Sequence, residues 1–396
     1  MSKPQAHPPQ TTGDSGACQP KSPPVSGLSN AVYVAVGILC QADGRVLLGS
    51  RPVDKPWAHW WELPGGKIEP HETARQALAR ELDEELGIQI ELSHTQHWHR
   101  LPHRYPSGWV VLDFFLITKW QGTPKALEGQ SLAWVQPHHL GDVGPVLPAT
   151  LPVLRWLQLP QYYLISSAYG QPEQWLQRLK DRLKAQQLKQ TPSAQPSAQD
   201  QPSTQEQQGT TVSRPLPPGH GNCWVQFREP AWQQQAKHDA QAAQSLYACF
   251  QQTVALCAQY GVRCLVNSVH PQQWWAQAHG LHLRSHDARK LAHLDTHFYA
   301  VQAHFDLPAG HFVAVSTHND HELQLAKHLQ ADCAVLGHVL ATPSHPDAPA
   351  LGWGAFEQLI KDMALPVYAL GGQSPQTLST ALQHGAQGIA GIRNLL

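Results

Sequence analysis

The chain has 396 residues, enough for two folded cores, and sets 28 Lys+Arg against 29 Asp+Glu for a formal net charge of −1. That balance leaves no global electrostatic pull toward nucleic acid or an anionic membrane surface. Only 14% of residues are charged while 41% are hydrophobic, so a sizeable core is expected beneath a surface rich in Gln, His, Ser and Thr, with 33 Pro and 29 Gly forecasting long irregular stretches. The seven cysteines (Cys18, Cys40, Cys223, Cys249, Cys257, Cys264 and Cys333) are odd in number and contain no C-x-x-C pair, which reads as buried free thiols in a reducing compartment. No zinc-ligand spacing stands out among the 25 histidines. The N-terminal MSKPQAHPPQTTGDSG has no apolar core and no run of 18 apolar residues follows, so the expectation is a soluble cytoplasmic protein without signal peptide or membrane span.

In chain order, residues 1–28 are rich in Pro, Gln, Ser and Thr and are expected to be disordered. The first folded region, 29–159, opens with the β-rich AVYVAVGILC, a QADG turn and a second strand RVLLGSR. WWELPGG leads into a helix over roughly 72–86, WVVLDFFLITKW and LAWV read as further strands, and LPATLPVLRWL as a closing helix. This is an α+β pattern. From 160 to 396, eight candidate strands alternate with helices: YYLISSA, CWVQFRE, RCLVNSV, LHLRS, HFVAVSTH, CAVLGHV, PVYALGG and GIAGIRN. Between them lie patterns such as PEQWLQRLKDRLK, DHELQLAKHLQ, FEQLIKDM and TLSTALQHG, which argues for an α/β TIM (β/α)8 barrel. The low-complexity stretch at about 187–221 then becomes an insertion between the first barrel helix and the second barrel strand, and the domain boundary falls near Leu159.

The densest signal spans 23 residues. Gly66 is followed after five residues by Glu72, and after seven more by Arg80-Glu81-Leu82-Asp83-Glu84-Glu85-Leu86-Gly87-Ile88. Glu81, Glu84 and Glu85 stand at i, i+3 and i+4, on one helical face, where their repulsion opposes the helix unless a cation neutralises them. Oxygen-only ligands at this density suit Mg²⁺ or Mn²⁺, which bind phosphates and help generate a hydroxide-like nucleophile. Gly65 and Gly66 allow close backbone approach before the helix, and Glu72 and Arg80 are expected to pair across the loop. By itself the acidic stripe reads as a solvated face over a Leu78, Leu82 and Leu86 packing stripe; the upstream Gly66 and Glu72 spacing reverses that reading.

These positions fill the Nudix pattern G-x5-E-x7-R-E-U-x-E-E-x-G-U, and residues 32–157 resemble the MutT-like members of that family, most closely in AVGILCQADGRVLL and ELPGGKIEPHET. The resemblance implies Mg²⁺-dependent hydrolysis of nucleoside triphosphates, including oxidised ones such as 8-oxo-dGTP, to monophosphate and pyrophosphate, a nucleotide-pool sanitation role serving DNA repair. It implies a Gly65 carbonyl on the metal, Glu84 and Glu85 as ligands, and Glu81 as ligand or general base. Glu128 in ALEGQSLAW stands for a late glutamate near the metals. Arg51 falls at a base-contacting arginine, Leu63 replaces an aromatic that holds the base, and Thr150 replaces an asparagine that reads oxidised guanine. Thr cannot make the bidentate amide contact, so base selectivity is left more open than hydrolysis. Trp57, Trp60 and Trp61 are read as packing around the motif.

The C-terminal region resembles the thiamine-phosphate synthase/TenI family in YYLISS, VQFRE, GLHLRS, VSTHN, GHVLATPSHPDAPALGW and YALGGQSPQTL. The resemblance places a phosphate at the late strands, against Gly371, Gly372, Gly391 and Ile392. Three groups of the synthase pattern are missing. Arg228 is followed by Glu229-Pro230 without the lysine, Asn267-Ser268 replaces Asn-Asp, and Thr342-Pro343-Ser344-His345 lacks another lysine. Pyrophosphate release needs such cations and metal, so an isomerase or ligand-sensing module fits better. His282, His318, His338 and His345 are acid/base candidates read chiefly as polar surface or core residues. The fusion also raises a second theme, hydrolysis of a thiamine-related diphosphate with a thiamine-precursor phosphate in the barrel. No nucleic-acid or membrane partner is expected.

Overall fold

The computed structural model describes residues 28, 30–190, 223–294, 301–342 and 348–395. The N-terminal tail, nearly all of the low-complexity insertion and His345 lie outside the described residues. The six described cysteines are free and buried. Among the described residues no helix is long and apolar enough to cross a membrane.

The N-terminal unit runs β1 (Val32–Leu39), β2 (Val46–Ser50), β3 (Trp61–Glu62), β4 (Gly65–Lys67), α1 (Ala74–Leu86), β5 (Gln89–Ile90), β6 (Gln96–Tyr105), β7 (Gly108–Ile117), β8 (Trp120–Gln121), β9 (Leu132–Val135) and α2 (Thr150–Trp156). The main sheet has order β4-β1-β7-β6, with β1 and β7 parallel, and a smaller sheet pairs β3-β2-β9. β1 and β7 are apolar along most of their length because both faces are covered. Ala35, Leu39, Phe115 and Ile117 meet the Leu78, Leu82 and Leu86 stripe of α1, while Val36, Ile38, Phe114 and Leu116 pack on the other side. α1 starts two residues later than the sequence suggests, because Thr73 and Gln76 form a capping box. Glu72 is thereby left in the loop, free of helical geometry. Gly87 ends the helix in the left-handed conformation at φ 64°.

β6 is the element that residue pattern does not announce. QHWHRLPHRY is polar and carries Pro102 at mid-strand, yet it pairs along β7 with Pro102 opposite Val111. It lies at the sheet edge, where a missing N–H costs no ladder bond on the open side.

The C-terminal unit runs β10 (Tyr162–Ile165), α3 (Pro172–Gln190), β11 (Cys223–Phe227), α4 (Pro230–Gln235), α5 (Ala240–Gln259), β12 (Cys264–Asn267), β13 (Gly280–Leu283), α6 (Ser285–Leu294), α7 (Val301–His304), β14 (Phe312–Thr317), α8 (Asp320–His328), β15 (Cys333–Gly337), α9 (Trp353–Ile360), β16 (Val367–Leu370), α10 (Leu378–Gln383) and β17 (Gly388–Gly391). The eight strands close into a parallel barrel in chain order. The expected eight strands are all present, each shorter than its apolar run, and α3 extends to Gln190.

The two units share one apolar cluster: Val153, Leu154, Trp156, Leu157 and Leu159 continue into Tyr163, Trp224, Phe312 and Tyr368 inside the barrel. The polar contacts described between them reach residues at or next to the starts of barrel strands, so α2 seats on the barrel's N-terminal end. Arg155 pairs with Asp332 and donates to the His311 carbonyl. Arg155 and Arg263 lie over the Phe312 ring, at 4.1 and 4.4 Å from its centroid. Tyr368 donates to the Pro160 carbonyl at 2.6 Å and Gln387 to the Leu159 carbonyl at 2.9 Å. Asp332 is 8% exposed, so removing it strands a part-buried guanidinium. Asp332→Ala is expected to lower the unfolding free energy of the full chain by about 2–4 kcal/mol in urea titration. A loss below about 0.5 kcal/mol, the size of an exposed pair, would contradict the docking role of this contact.

Candidate active site

The junction between β4 and α1 gathers most of the motif around one guanidinium. Arg80 Nη2 donates to Glu72 Oε1 at 2.8 Å and to the Lys67 carbonyl at 3.1 Å. Its Nη1 reaches Glu81 Oε1 at 2.9 Å and Glu84 Oε2 at 3.2 Å. Glu72 also accepts from the Glu69 N–H at 2.7 Å, which fixes the loop it closes. The expected Glu72–Arg80 pair is therefore present, and Arg80 holds two of the three helix-face acids as well. The hydrogen bonds Arg80 donates to Glu72 and Glu81 push its guanidinium above its usual range.

Two glycines let the helix face press on the loop. A Cβ on Gly66 would lie 2.0 Å from Glu81 Cδ, so the absent side chain is the space that the Glu81 carboxylate occupies. Gly65 sits at φ +144°, and a Cβ there would come within 2.2 Å of the Ala35 carbonyl oxygen. Its N–H donates to Glu85 Oε2 at 3.1 Å. Burial, with the nearby charges of Glu128, Glu81 and Glu62, pushes the Glu85 carboxyl up to about 7 against the pull of that N–H.

Beside this junction opens a shallow cleft lined by Lys55, Glu62, Leu63, Gly65, Glu85 and Glu128 among others. Glu128 lines the cleft together with Glu85, and its Oε2 accepts from Lys55 Nζ at 2.7 Å. Among the described residues no three His, Cys, Asp or Glu side chains are drawn into a ready metal cage. Arg80 and Lys55 instead stand where cationic charge is required.

Of the residues expected to meet the base, Leu63 lines this cleft, while Arg51 reaches it only through Glu62 and Thr150 is not in its lining. Arg51 Nη1 pairs with Glu62 Oε1 at 2.5 Å and its Nε donates to the Pro56 carbonyl at 2.6 Å. Leu63 is buried in the core edge of the cleft, and Thr150 is buried at the start of α2. Tyr105, which no motif singled out, connects these groups. Its hydroxyl is hydrogen-bonded with the Ala149 backbone, its phenol is pushed up by burial and by the Glu62 charge, and its ring contacts Trp57 at 6.3 Å. Trp60 and Trp61 are half-buried as expected, but Trp57 departs from the packing reading, being 39% exposed at φ 62°.

In the barrel, the late-strand glycines pack closely. A Cβ on Gly371 would lie 2.3 Å from His338 Cβ, and one on Gly372 would lie 2.7 Å from Leu340 Cβ. Gly391 faces Leu395, and Ile392 is half-buried. The more telling groups are elsewhere. Gln226 and Asn267 are each 1% exposed, and Gln226 Nε2 and Asn267 Nδ2 have no partner among the described residues. The half-buried Arg228 places its charge near His282 and His270. His282 bridges Tyr163 Oη and Ser316 Oγ at 2.8 Å each, and burial, then Arg228, pulls it down to about 3. Where the synthase pattern has an acid, Ser268 donates to Asp287 at 2.6 Å, and Arg284 holds the same carboxylate.

Fold and site thus define an α+β hydrolase unit joined to a (β/α)8 barrel. A model described as NUDIX domain matches residues 31–157, and one described as Thiamine monophosphate synthase matches residues 199–395. An 8-oxo-dGTP diphosphatase of Haemophilus influenzae is 36% identical over 32% of this chain and 90% of its own length. A CTP pyrophosphohydrolase of Escherichia coli is 38% identical over 30% of the chain and 86% of its own. Among solved structures, a MutT Nudix hydrolase from Burkholderia pseudomallei is 28% identical, covers 32% of this chain and 97% of that one, and has a TM-score of 0.29. A thiamine phosphate pyrophosphorylase from Pyrococcus furiosus is 16% identical, covers 60% and 87%, and has a TM-score of 0.36. The chain belongs to the Nudix hydrolase family and carries a TenI-like barrel behind its hydrolase unit.

The two glycines separate stability from site geometry. Gly65→Ala, which meets backbone, is expected to cost about 2–4 kcal/mol in urea unfolding, whereas Gly66→Ala, which meets a movable carboxylate, costs under about 1 kcal/mol. Equal costs would contradict the packing described. Glu85 also gives the metal-free protein a pH signature. Its folded pKa is raised from 4.5 to about 7, so its stability contribution is full below about pH 4.5 and is lost as pH rises through 7. Glu85→Gln is therefore expected to raise Tm at pH 8 in chelator and to leave it unchanged at pH 4; a lower Tm at pH 8 would overturn the assignment.

Proposed function

We propose that the N-terminal unit is a Mg²⁺-dependent pyrophosphohydrolase of nucleoside triphosphates, oxidised ones such as 8-oxo-dGTP included, releasing monophosphate and pyrophosphate. The observation that carries this reading is the seating of Glu81 on Gly66 and Glu85 on the Gly65 N–H. It puts Glu85 in the lining of the cleft and Glu81 on the turn beside it.

The donor set fits a hard divalent cation. Glu85 is pushed up to about 7 by burial and by the charges of Glu128, Glu81 and Glu62, the signature of acids crowded beyond their counter-charge. The Gly65 carbonyl, Glu81, Glu84, Glu85 and Glu128 would hold Mg²⁺, with Mn²⁺ able to replace it. When bound, the ion neutralises phosphate charge and makes a water molecule acidic enough to attack phosphorus. Arg80, held by Glu72, keeps Glu81 oriented through Oε1, which leaves Oε2 to accept the proton of the attacking water. Water adds to one phosphorus of the triphosphate and the bridging P–O bond breaks, the electron pair leaving with pyrophosphate. Arg51, Leu63 and Thr150 frame the base, with Tyr105 joining the Arg51–Glu62 pair to the Ala149–Thr150 backbone.

The barrel supports a second reading. Gln226 and Asn267 hold buried, unpartnered amide nitrogens beside Arg228, a set that suits a polar, anionic ligand such as a thiamine-precursor phosphate. Loss of the synthase cations favours binding or isomerisation over pyrophosphate release. In that case the hydrolase unit acts on a thiamine-related diphosphate.

A substrate panel on the full chain with Mg²⁺ decides between them. The expected order of kcat/KM is 8-oxo-dGTP above dGTP and CTP, with thiamine diphosphate lowest, and Glu85→Gln lowers it by about 10³-fold or more while the fold persists. Thiamine diphosphate ranking first would reverse the order of the two readings. Full activity in Glu85→Gln would end the first.

A further inference from the structure

Lys55 lies in the loop between β2 and β3, outside the motif, and lines the cleft with Glu62, Gly65, Glu85 and Glu128. Its Nζ is 2.7 Å from Glu128 Oε2, and the two side chains are 42% and 40% exposed. An ion pair that open to solvent adds little to folding, so stability does not explain why it spans the cleft. The charges acting on Lys55 come from Glu128 and Glu85 as attraction and Arg51 as repulsion. Of the other cations here, Arg80 is fixed by Glu72, Glu81, Glu84 and the Lys67 carbonyl, and Arg51 by Glu62 and the Pro56 carbonyl. Lys55 has one described partner, on a flexible stem, so it is the cation at this site that can change partners.

We propose that Lys55 is a triphosphate-binding residue that Glu128 holds in the absence of a divalent ion and releases when Glu128 turns to that ion. This rests on the reading of Glu128 as a metal ligand. The ammonium then faces the cleft, where the phosphates supply the negative charge that Glu128 withdraws. The exchange gives a signature that a structural lysine would not: its removal strengthens ion binding, because a competitor for Glu128 is gone, and weakens nucleotide binding. Because phosphates are common to all nucleotides, the weakening is the same whatever the base.

The test uses the full chain, with Mn²⁺ alone measured by EPR, and steady-state kinetics on 8-oxo-dGTP and CTP. Lys55→Met is expected to bind Mn²⁺ about three- to tenfold more tightly. It should raise KM by about tenfold, by the same factor for both nucleotides, with kcat changed less than about twofold. Lys55→Arg should restore KM. Unchanged or weaker Mn²⁺ binding in Lys55→Met overturns the proposal, as does a KM effect confined to one nucleotide. Glu128→Gln separates the two layers. If it leaves Mn²⁺ binding intact, the metal-ligand reading of Glu128 fails and the proposal with it. If it weakens Mn²⁺ while Lys55→Met matches wild type, the exchange alone fails.

Discussion

The hydrolase site depends on one guanidinium. Arg80 reaches back to Glu72 and the Lys67 carbonyl on the loop, and along its own helix to Glu81 and Glu84. Without it, three carboxylates within one turn of α1 would repel each other and the loop would lose its ties to the helix through Glu72 and the Lys67 carbonyl. With it, the loop is close enough that Gly66 has no room for a side chain and Glu85 meets the Gly65 N–H. Burial, and after it the charges of Glu128, Glu81 and Glu62, raise the Glu85 carboxyl, and the proposal of a divalent ion rests on the seating of these acids on the Gly65–Gly66 turn.

The barrel is built into the same unit rather than hung beside it. The helix that starts at Thr150, one of the residues proposed to frame the base, ends in Arg155 and Trp156 against the barrel's N-terminal end. Displacement of the barrel would therefore be felt at the substrate side of the hydrolase. Toward the opposite, C-terminal end of its strands the barrel buries Gln226 and Asn267 with amide nitrogens that have no partner among the described residues.

The motif was legible in the sequence because its chemistry is local. Helical period alone puts Glu81, Glu84 and Glu85 on one face, and Glu72 and Arg80 are eight residues apart in the pair they form. The eight barrel strands were legible because buried parallel strands read as apolar runs between helices. What stayed hidden is long-range or carried by polar residues. Lys55 meets Glu128 across 73 positions and Arg155 meets Asp332 across 177, with nothing in either neighbourhood to announce the partner. β6 has neither alternation nor β-branched residues and exists because β7 offers it an edge. Tyr105, at its end, becomes a site residue only through that pairing. Gln226 and Asn267 stand out once the barrel closes and leaves their amides unmatched.

The central claim is that the acids of α1, with the Gly65 carbonyl, hold the ion that makes this protein a hydrolase. Anomalous diffraction from crystals of the full chain grown with Mn²⁺ tests it most directly. The account predicts a peak within bonding distance of the Gly65 carbonyl, Glu81 and Glu85, absent in Glu85→Gln crystals. A fully occupied peak elsewhere, with those carboxylates still on Arg80 and the Gly65 N–H, would contradict it.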